Sequence, residues 1–456
     1  MTLKLYNTLK REKEEFKPLV EGQAKVYSCG PTVYGTAHIG NLRAYIFMDL
    51  VRRLLEFNNF KTTLVMNITD VGHLTDDADQ GEDKMEKGAK REGKTVWEIA
   101  ENYTKEFLED IEKLNIKKPH VICKATDHIK EQIDMIKQIE KNGFTYKTSD
   151  GIYFDTSKLK DYGKLIPNFK PENLEAGKRV EMGEKKNATD FALWKFSGKE
   201  KRQMEWESPW GIGFPGWHIE CTAMGCKYLG DVFDIHTGGI EHIPIHHTNE
   251  IAQAKGANDK DHVNYWMHCD HLLVDNNKMA KSIGNVVYLK DILKKGFEPE
   301  DFRYLTLTTH YKKNLNFTYK SLESARSARL NILNKIKQFI GLKEIENNVY
   351  LEKFKQAIND DINTSKALSV LQEVLNSNIE DEEKLFLVKK FDEVLGLNLT
   401  SFKTAKIPEE ITILANKRLE AKKQKDFELA DNLREQINSK GYKIKDTPQG
   451  FELEAL

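Results

Sequence analysis

The stretch AKVYSCGPTVYGTAHIGNLRAYIFMDLVRRLLEFNNFKTTLVMNITD, residues 24–70, decides the fold class. AKVYSCG reads as a short strand ending in glycine. PTVYGTAHIGN is a loop of turn residues. In NLRAYIFMDLVRRLLEF, Leu42, Tyr45, Met48, Val51 and Leu55 recur at helical spacing. KTTLVMNITD reads as a second strand. Strand, glycine loop, helix and strand make a βαβ unit, which predicts an α/β fold on a parallel sheet.

Downstream of this unit the pattern changes. HLTDDADQGEDKMEKGAKREGK is dense in charge and glycine and reads as an exposed loop. Amphipathic helices are expected in WEIAENYTKEFLEDIEKLNI and HIKEQIDMIKQIEKNG, and a hairpin strand in DGIYFDTSK. The sheet pattern resumes with DVFDIHTGG. A helix opened by His246 follows, and then VNYWMHCDHLLV, read as one strand ending in the turn DNNK. Beyond Lys290 helical periodicity dominates. The expected organisation is a split sheet domain (1–75 and 206–290) around an insertion (76–205). A helical segment (291–400) and a small tail (401–456) follow, the tail with one charged helix and a hairpin.

Composition narrows the class. The 456 residues are too many for one core and suggest about three domains. Hydrophobic residues make up 39% and charged residues 31%, as in globular chains. A formal net charge of -1 leaves no overall positive field, so any nucleic-acid contact must use local patches. The first residues lack a signal-peptide core, and no apolar run is long enough to span a membrane. Five scattered cysteines (29, 123, 221, 226, 269) suit a reducing cytoplasm, with thiols as ligands or core residues.

Candidate sites follow from position. His38 and Gly40 sit where the first loop enters its helix, whose N-terminus suits phosphate. KMAKS, residues 278–282, follows a strand and a turn, and its two lysines could hold a triphosphate. His246 and Glu250 are four residues apart and share one helical face. Cys29 ends the first strand, where ligands bind in open α/β sheets, and Cys221 opens the second half of the sheet. Cys29, Cys221, His246 and Glu250 would make a four-ligand set suited to zinc. His218 and His247 compete as ligands, and spacing does not exclude Cys226 or Cys269. Each feature alone has a plainer explanation, such as a surface histidine, a solvated basic turn or a buried small thiol.

Read together and in order, CGPTVYGTAHIGN and KMAKS resemble the HIGH and KMSKS signatures of class I aminoacyl-tRNA synthetases. GWHIECTAM, FDIHTGG and HHTNEIAQ make the chain similar to the cysteinyl-tRNA synthetase family over nearly its whole length. The resemblance implies a Rossmann-like catalytic domain that activates cysteine with ATP and Mg2+ and charges tRNA(Cys). It implies one zinc ion on Cys29, Cys221, His246 and Glu250, selecting the cysteine thiol without a separate editing domain. It implies His38, Gly40, Asn41, Gly238, Gly239, Lys278 and Lys281 at ATP, with His38, Asn41, Lys278 and Lys281 as the catalytic group. Cys29, Thr69, Trp217 and His236 would line the amino-acid pocket. The implied protein is a cytoplasmic monomer without membrane contact.

Departures from the family pattern are the asparagine ending HIGN, Ala280 in place of the first serine of KMSKS, and Glu241 where an aspartate is usual. The region NITDVGHLTDDADQGEDKM is also longer and more charged than the family's. The tail contains KRLEAKKQK, residues 417–425, with five basic residues and one acidic. The resemblance implies that this tail recognises the anticodon, with the basic patch on phosphates. Two other readings share the motifs. One is a ligase that passes the adenylate to a small amine, which should lack the tail. The other is a non-catalytic RNA- or zinc-binding relative, which should have lost His38 or the lysines.

Overall fold

The computed structural model describes residues 2–72, 84–169, 183–198, 202–216, 218–280, 283–401, 408–447 and 450–455. Trp217, Lys281 and the charged stretch 73–83 lie outside the described residues. The chain divides into two compact units, Met1–Thr400 and Ser401–Leu456.

The first unit is built on five parallel strands: β1 (Gln23–Ser28), β2 (Lys61–Ile68), β3 (Val121–Lys124), β4 (Phe233–Gly239) and β5 (Val263–Cys269). Their spatial order is β5-β4-β1-β2-β3. The register pairs Val26 with Leu64 on one side and with Ile235 on the other. Every residue of β4 is buried, as expected where both faces of a parallel sheet are covered. The chain runs from β1 outward to β3, then returns to β4 on the other side of β1. That reversal creates a switch point at the carboxyl ends of β1 and β4. Helix α1 (Ile39–Phe57) follows β1 and buries Leu42, Tyr45, Met48, Val51 and Leu55, the residues that predicted it. Helices α2 (Ile219–Leu229) and α3 (Thr248–Asn258) flank β4 in sequence and are largely buried.

Several elements differ from the sequence reading. Strand β3 lies within 76–205, the stretch read as an insertion, yet it pairs in parallel with β2. It is only four residues long and follows a charged helix, so no alternation marked it. After it comes a four-stranded antiparallel sheet, Thr145–Lys147, Gly151–Phe154, Phe191–Phe196 and Gly213–Pro215. Part of the presumed charged loop is a helix, Lys84–Glu92, which buries Met85 and Ala89. VNYWMHCDHLLV is two strands. β5 ends at Cys269, and Leu272–Val274 joins a separate sheet with Asn277–Lys278 and Leu315–Phe317. At the break the buried Arg43 guanidinium donates to the carbonyls of Asp270 (2.9 Å) and His271 (2.6 Å), and His271 O also accepts from the Leu315 N–H of the separate sheet (3.1 Å).

The helices Pro299–Leu307, Tyr319–Ile336, Asn348–Ile358, Thr364–Asn376 and Asp381–Leu395 complete the first unit. Asp49 of α1 accepts from Arg53 and from Arg303, both at 2.6 Å, which ties the helical region to α1 inside the core.

In the second unit the expected single helix is two, Glu409–Lys423 and Phe427–Ser439, followed by the hairpin Tyr442–Thr447 and Gly450–Ala455. The helices part where Lys425 takes a left-handed conformation (φ 61) and Asp426 caps Leu429 at 3.0 Å. Ile411, Ala415, Ile437 and Ile444 form the core. Arg418, in the basic stretch, is only 2% exposed and holds Asp446 at 2.7 Å. It serves this fold rather than a solvent-facing patch.

Candidate active site and metal centre

Cys29 leaves β1 at the switch point, its N–H donating to Thr237 of β4 across the reversal (3.2 Å). From β4 the chain passes through one π-helical turn, Ile243–His247, before α3. In an α-helix adjacent side chains diverge by about 100°. The wider π turn brings both His246 and His247 toward Cys29. His246 Nε2 and His247 Nε2 each lie 3.4 Å from Cys29 Sγ. Glu250 Oε1 lies 3.9 Å from that sulfur and 3.1 Å from His246 Nε2. One side-chain atom each from Cys29, His246, His247 and Glu250 lies within 4.8 Å of the others; Cys221, the fourth ligand expected from the sequence, is not in this group, and His247 is. Cys221, in the first turn of α2, hydrogen-bonds with Cys29.

The electrostatics suit a cation. Burial works against a charged Glu250, but His236 and the neighbouring imidazoles outweigh it and hold the carboxyl at about 2. Burial would also raise the Cys29 thiol. The Cys221 hydrogen bond and the His246 charge reverse this and bring it well below the usual range. Burial and the Cys29 hydrogen bond push Cys221 well above its usual range. Burial would lower His236, but the Glu250 carboxylate lifts it to about 9. Burial and the nearby His236 charge push His247 down to about 3, so it is neutral. A thiolate, an imidazole and a carboxylate converging in a buried pocket, with a second thiol beside them, fit a borderline-soft divalent cation.

Around this cluster lies a ring of supporting imidazoles. His236 Nε2 lies 3.0 Å from Glu250 Oε2, and its ring stacks on Trp266 at 4.7 Å. His236, expected to line the pocket, thus sits fully buried behind Glu250. His218, in a left-handed conformation (φ 80) at the start of α2, places Nδ1 2.6 Å from His246 Nδ1. His268 of β5 backs His247 at 2.7 Å. Thr69 is buried and accepts from Asn67 Nδ2 at 2.9 Å. Its backbone pairs with Pro31 and Val33 and fastens the loop after Cys29.

The HIGN and KMAK segments meet. His38 caps α1: its Nδ1 accepts from the Asn41 N–H (3.2 Å), and Asn41 Oδ1 accepts from the His38 N–H (3.1 Å). A Cβ on Gly40 would fall 2.6 Å from Met279 Cε. The Ile39 N–H donates to Val287 (3.0 Å), downstream of KMAKS. Lys278 is exposed beside the turn Asp275–Asn276, and Asn285 closes the loop by accepting from Ala280 N–H (2.9 Å) and donating to Lys278 O (3.2 Å). At the end of β4, a Cβ on Gly238 would meet His247 at 2.6 Å and His242 at 2.7 Å, and one on Gly239 the Glu241 carboxylate at 2.4 Å. Glu241 Oε2 lies 3.7 Å from His271 Nδ1. Sequence reasoning missed His268 and Asn285, since neither lies in a recognisable motif.

Comparison with known proteins agrees with this geometry. The domain family described as tRNA synthetases class I (C), catalytic domain, matches residues 15–327. Cysteine–tRNA ligase 1 of Burkholderia lata is 47% identical over 99% of this chain and 97% of its own length. Cysteine–tRNA ligase of Treponema denticola is 45% identical over 98% of each chain. Methionyl-tRNA synthetase of Mycobacterium tuberculosis, bound by methionyl-adenylate, shares the fold at a TM-score of 0.55 and 14% identity, over 82% of this chain and 88% of that one. The family match over residues 15–327 and the relatives at 47% and 45% identity over nearly the whole chain place it in the class I tRNA synthetase family, in its cysteine branch.

Proposed function

We propose that this protein activates L-cysteine with ATP as cysteinyl adenylate and transfers the cysteinyl group to the 3′ end of tRNA(Cys). One observation carries the reading. A buried sulfur, imidazole and carboxylate cluster sits at the switch point of a parallel sheet whose first helix begins at His38. In the first step a carboxylate oxygen of cysteine attacks the α-phosphorus of ATP, bound with Mg2+, and pyrophosphate leaves. In the second, a terminal ribose hydroxyl of tRNA attacks the adenylate carbonyl, and AMP leaves.

The Gly40 N–H and the His38 ring would hold phosphate oxygens, since the N–H groups of Ile39 and Asn41 already donate to Val287 O and His38 Nδ1. His38 Nδ1 accepts from the backbone of Asn41, so the neutral ring carries its proton on Nε2 and can donate it. Asn41 secures that tautomer. Lys278 and Lys281 would neutralise the departing pyrophosphate. Gly40, Gly238 and Gly239 would lie against the nucleotide, and Thr69 and Trp217 would belong to the amino-acid pocket.

Cys29, Cys221, His246 and Glu250 would hold one zinc ion. When bound, zinc supplies a borderline-soft centre that favours a substrate thiolate over the hydroxyl of serine. His236 orients Glu250, and His218 orients His246.

The tail would meet tRNA through Lys417, Lys423 and Lys425, all exposed. The protein would act as a monomer, and in the cytoplasm, where its five free cysteines would stay reduced. Among the described residues no helix is long and apolar enough to cross a membrane. Transfer of labelled cysteine to total tRNA, with ATP and Mg2+, tests the proposal. Charging is the expected result. AMP release without charging would indicate a different acceptor.

A further inference from the structure

His247 reaches the Cys29 sulfur as closely as His246 does, and distance alone does not say whether it is a ligand. Its other side answers the question. His247 Nδ1 lies 2.7 Å from His268 Nε2, and His268 Nδ1 lies 2.8 Å from the hydroxyl of Thr8. Three contacts thus run in a line from Thr8 to Cys29, through two imidazoles that are 0% and 6% exposed.

Such a line has only two self-consistent directions, because a neutral imidazole donates at one nitrogen and accepts at the other. Cys29, as a metal ligand, is a thiolate and only accepts. His247 Nε2 must then carry the proton. Its Nδ1 must accept, so His268 Nε2 carries a proton and His268 Nδ1 accepts. The line ends at a group that must donate, and the Thr8 hydroxyl can. His246 differs, since its Nδ1 faces His218 and its Nε2 faces both Cys29 and Glu250.

Thr8 is held where this requires it. Its N–H donates to Trp266 O at 2.8 Å. The neighbouring Asn7 is fully buried and clamps β5 by donating to Asn264 O (2.8 Å) and accepting from the Trp266 N–H (3.2 Å).

We propose that Thr8 is a positioning residue for thiol recognition: through His268 it sets the tautomer of His247, which then donates to the Cys29 sulfur and is not a ligand. The inference rests on the reading of the cluster as the thiol-recognition site. If the direction is lost, His247 can turn its Nε2 lone pair to the metal and compete with the substrate thiol.

The test uses the full chain with Thr8→Val, which removes the hydroxyl at nearly constant shape, and Thr8→Ser, which keeps it. Cysteine-dependent ATP–pyrophosphate exchange and the 15N spectra of histidine-labelled protein are the readouts. His247 and His268 are assigned with His268→Gln. Expected for Thr8→Val are a KM for cysteine raised about tenfold, with kcat and the KM for ATP within about twofold. Both rings should also lose their single Nε2–H tautomer, and Thr8→Ser should restore each effect. Unchanged tautomers in Thr8→Val, or a Thr8→Ser variant as impaired as Thr8→Val, would overturn the inference. If the wild-type protein shows no cysteine-dependent exchange, the functional reading fails, while the tautomer comparison still decides the role of Thr8.

Discussion

The thiol of Cys29 and the imidazole of His246, 217 residues apart in the chain, lie 3.4 Å apart across the switch point of the sheet. Glu250 reaches the same point from one turn further along α3, and Cys221 approaches from α2. Cys29, Cys221 and the His246–Glu250 pair come from three different segments, so loss of a donor from one leaves those on the other two in place and the consequences are specific.

Cys221→Ala should therefore fold normally and fail as a metal centre. The expected outcome is a drop of at least about 100-fold in metal affinity, beyond what outer partners contribute, with the preference for cysteine over serine greatly weakened. Metal analysis of purified protein and competitive exchange with serine check it. Stoichiometric metal and full selectivity in the variant would reject the ligand role.

His38 combines two tasks that substitution can separate. Asparagine is a good N-cap, so His38→Asn should keep α1 stable while losing the phosphate donor. Exchange activity should fall about 100-fold, with little change in melting temperature. His38→Ala should lose the activity and also about 1 kcal/mol of stability. Equal activity in the wild type and His38→Asn would reduce this histidine to a cap.

Gly238→Ala places a methyl group 2.6 Å from His247 Cε1 and 2.7 Å from His242 Nδ1. His247 is packed between Trp266 and His268 and has no easy retreat. A stability loss of about 1–3 kcal/mol is expected from overpacking. A rise in KM for cysteine should accompany it, since the displaced ring touches the cluster. Denaturant titration and exchange kinetics measure both effects.

Asp49→Asn removes the charge that two buried guanidinium groups face. A loss of about 3–5 kcal/mol is expected, because an unpaired buried charge remains. The pH dependence follows from the carboxyl itself. Burial would raise its pKa, but Arg303 and Arg53 outweigh burial and hold it below its usual range. A depressed pKa contributes stability that is present above the unfolded value, about 3.9, and is lost as pH falls through the lower folded value. Asp49→Asn should therefore lose stability less steeply than the wild type on acidification below about pH 4, by urea unfolding at stepped pH.

The sequence by itself determined what depends on neighbours in the chain. Helical spacing from Leu42 to Leu55 marked α1, and the turn and glycine residues around it marked the βαβ unit. His246 and Glu250 announced a shared face because side chains four apart meet on any helix. Motif order further identified the family.

The tertiary structure decided what depends on convergence. A π turn, which leaves no trace in spacing, brought His247 beside His246. Strand β3 was too short to show alternation and became a strand by pairing with β2. VNYWMHCDHLLV divided in two because its last residues pair with Leu315–Phe317, some 40 residues further on, rather than with the central sheet. Arg418 looked like a surface charge until Asp446, 28 residues on, paired with it. Hydrogen bonds such as Thr8 to His268, 260 residues apart, are chosen by the fold, since geometry that close and directional exists only once the sheet has assembled.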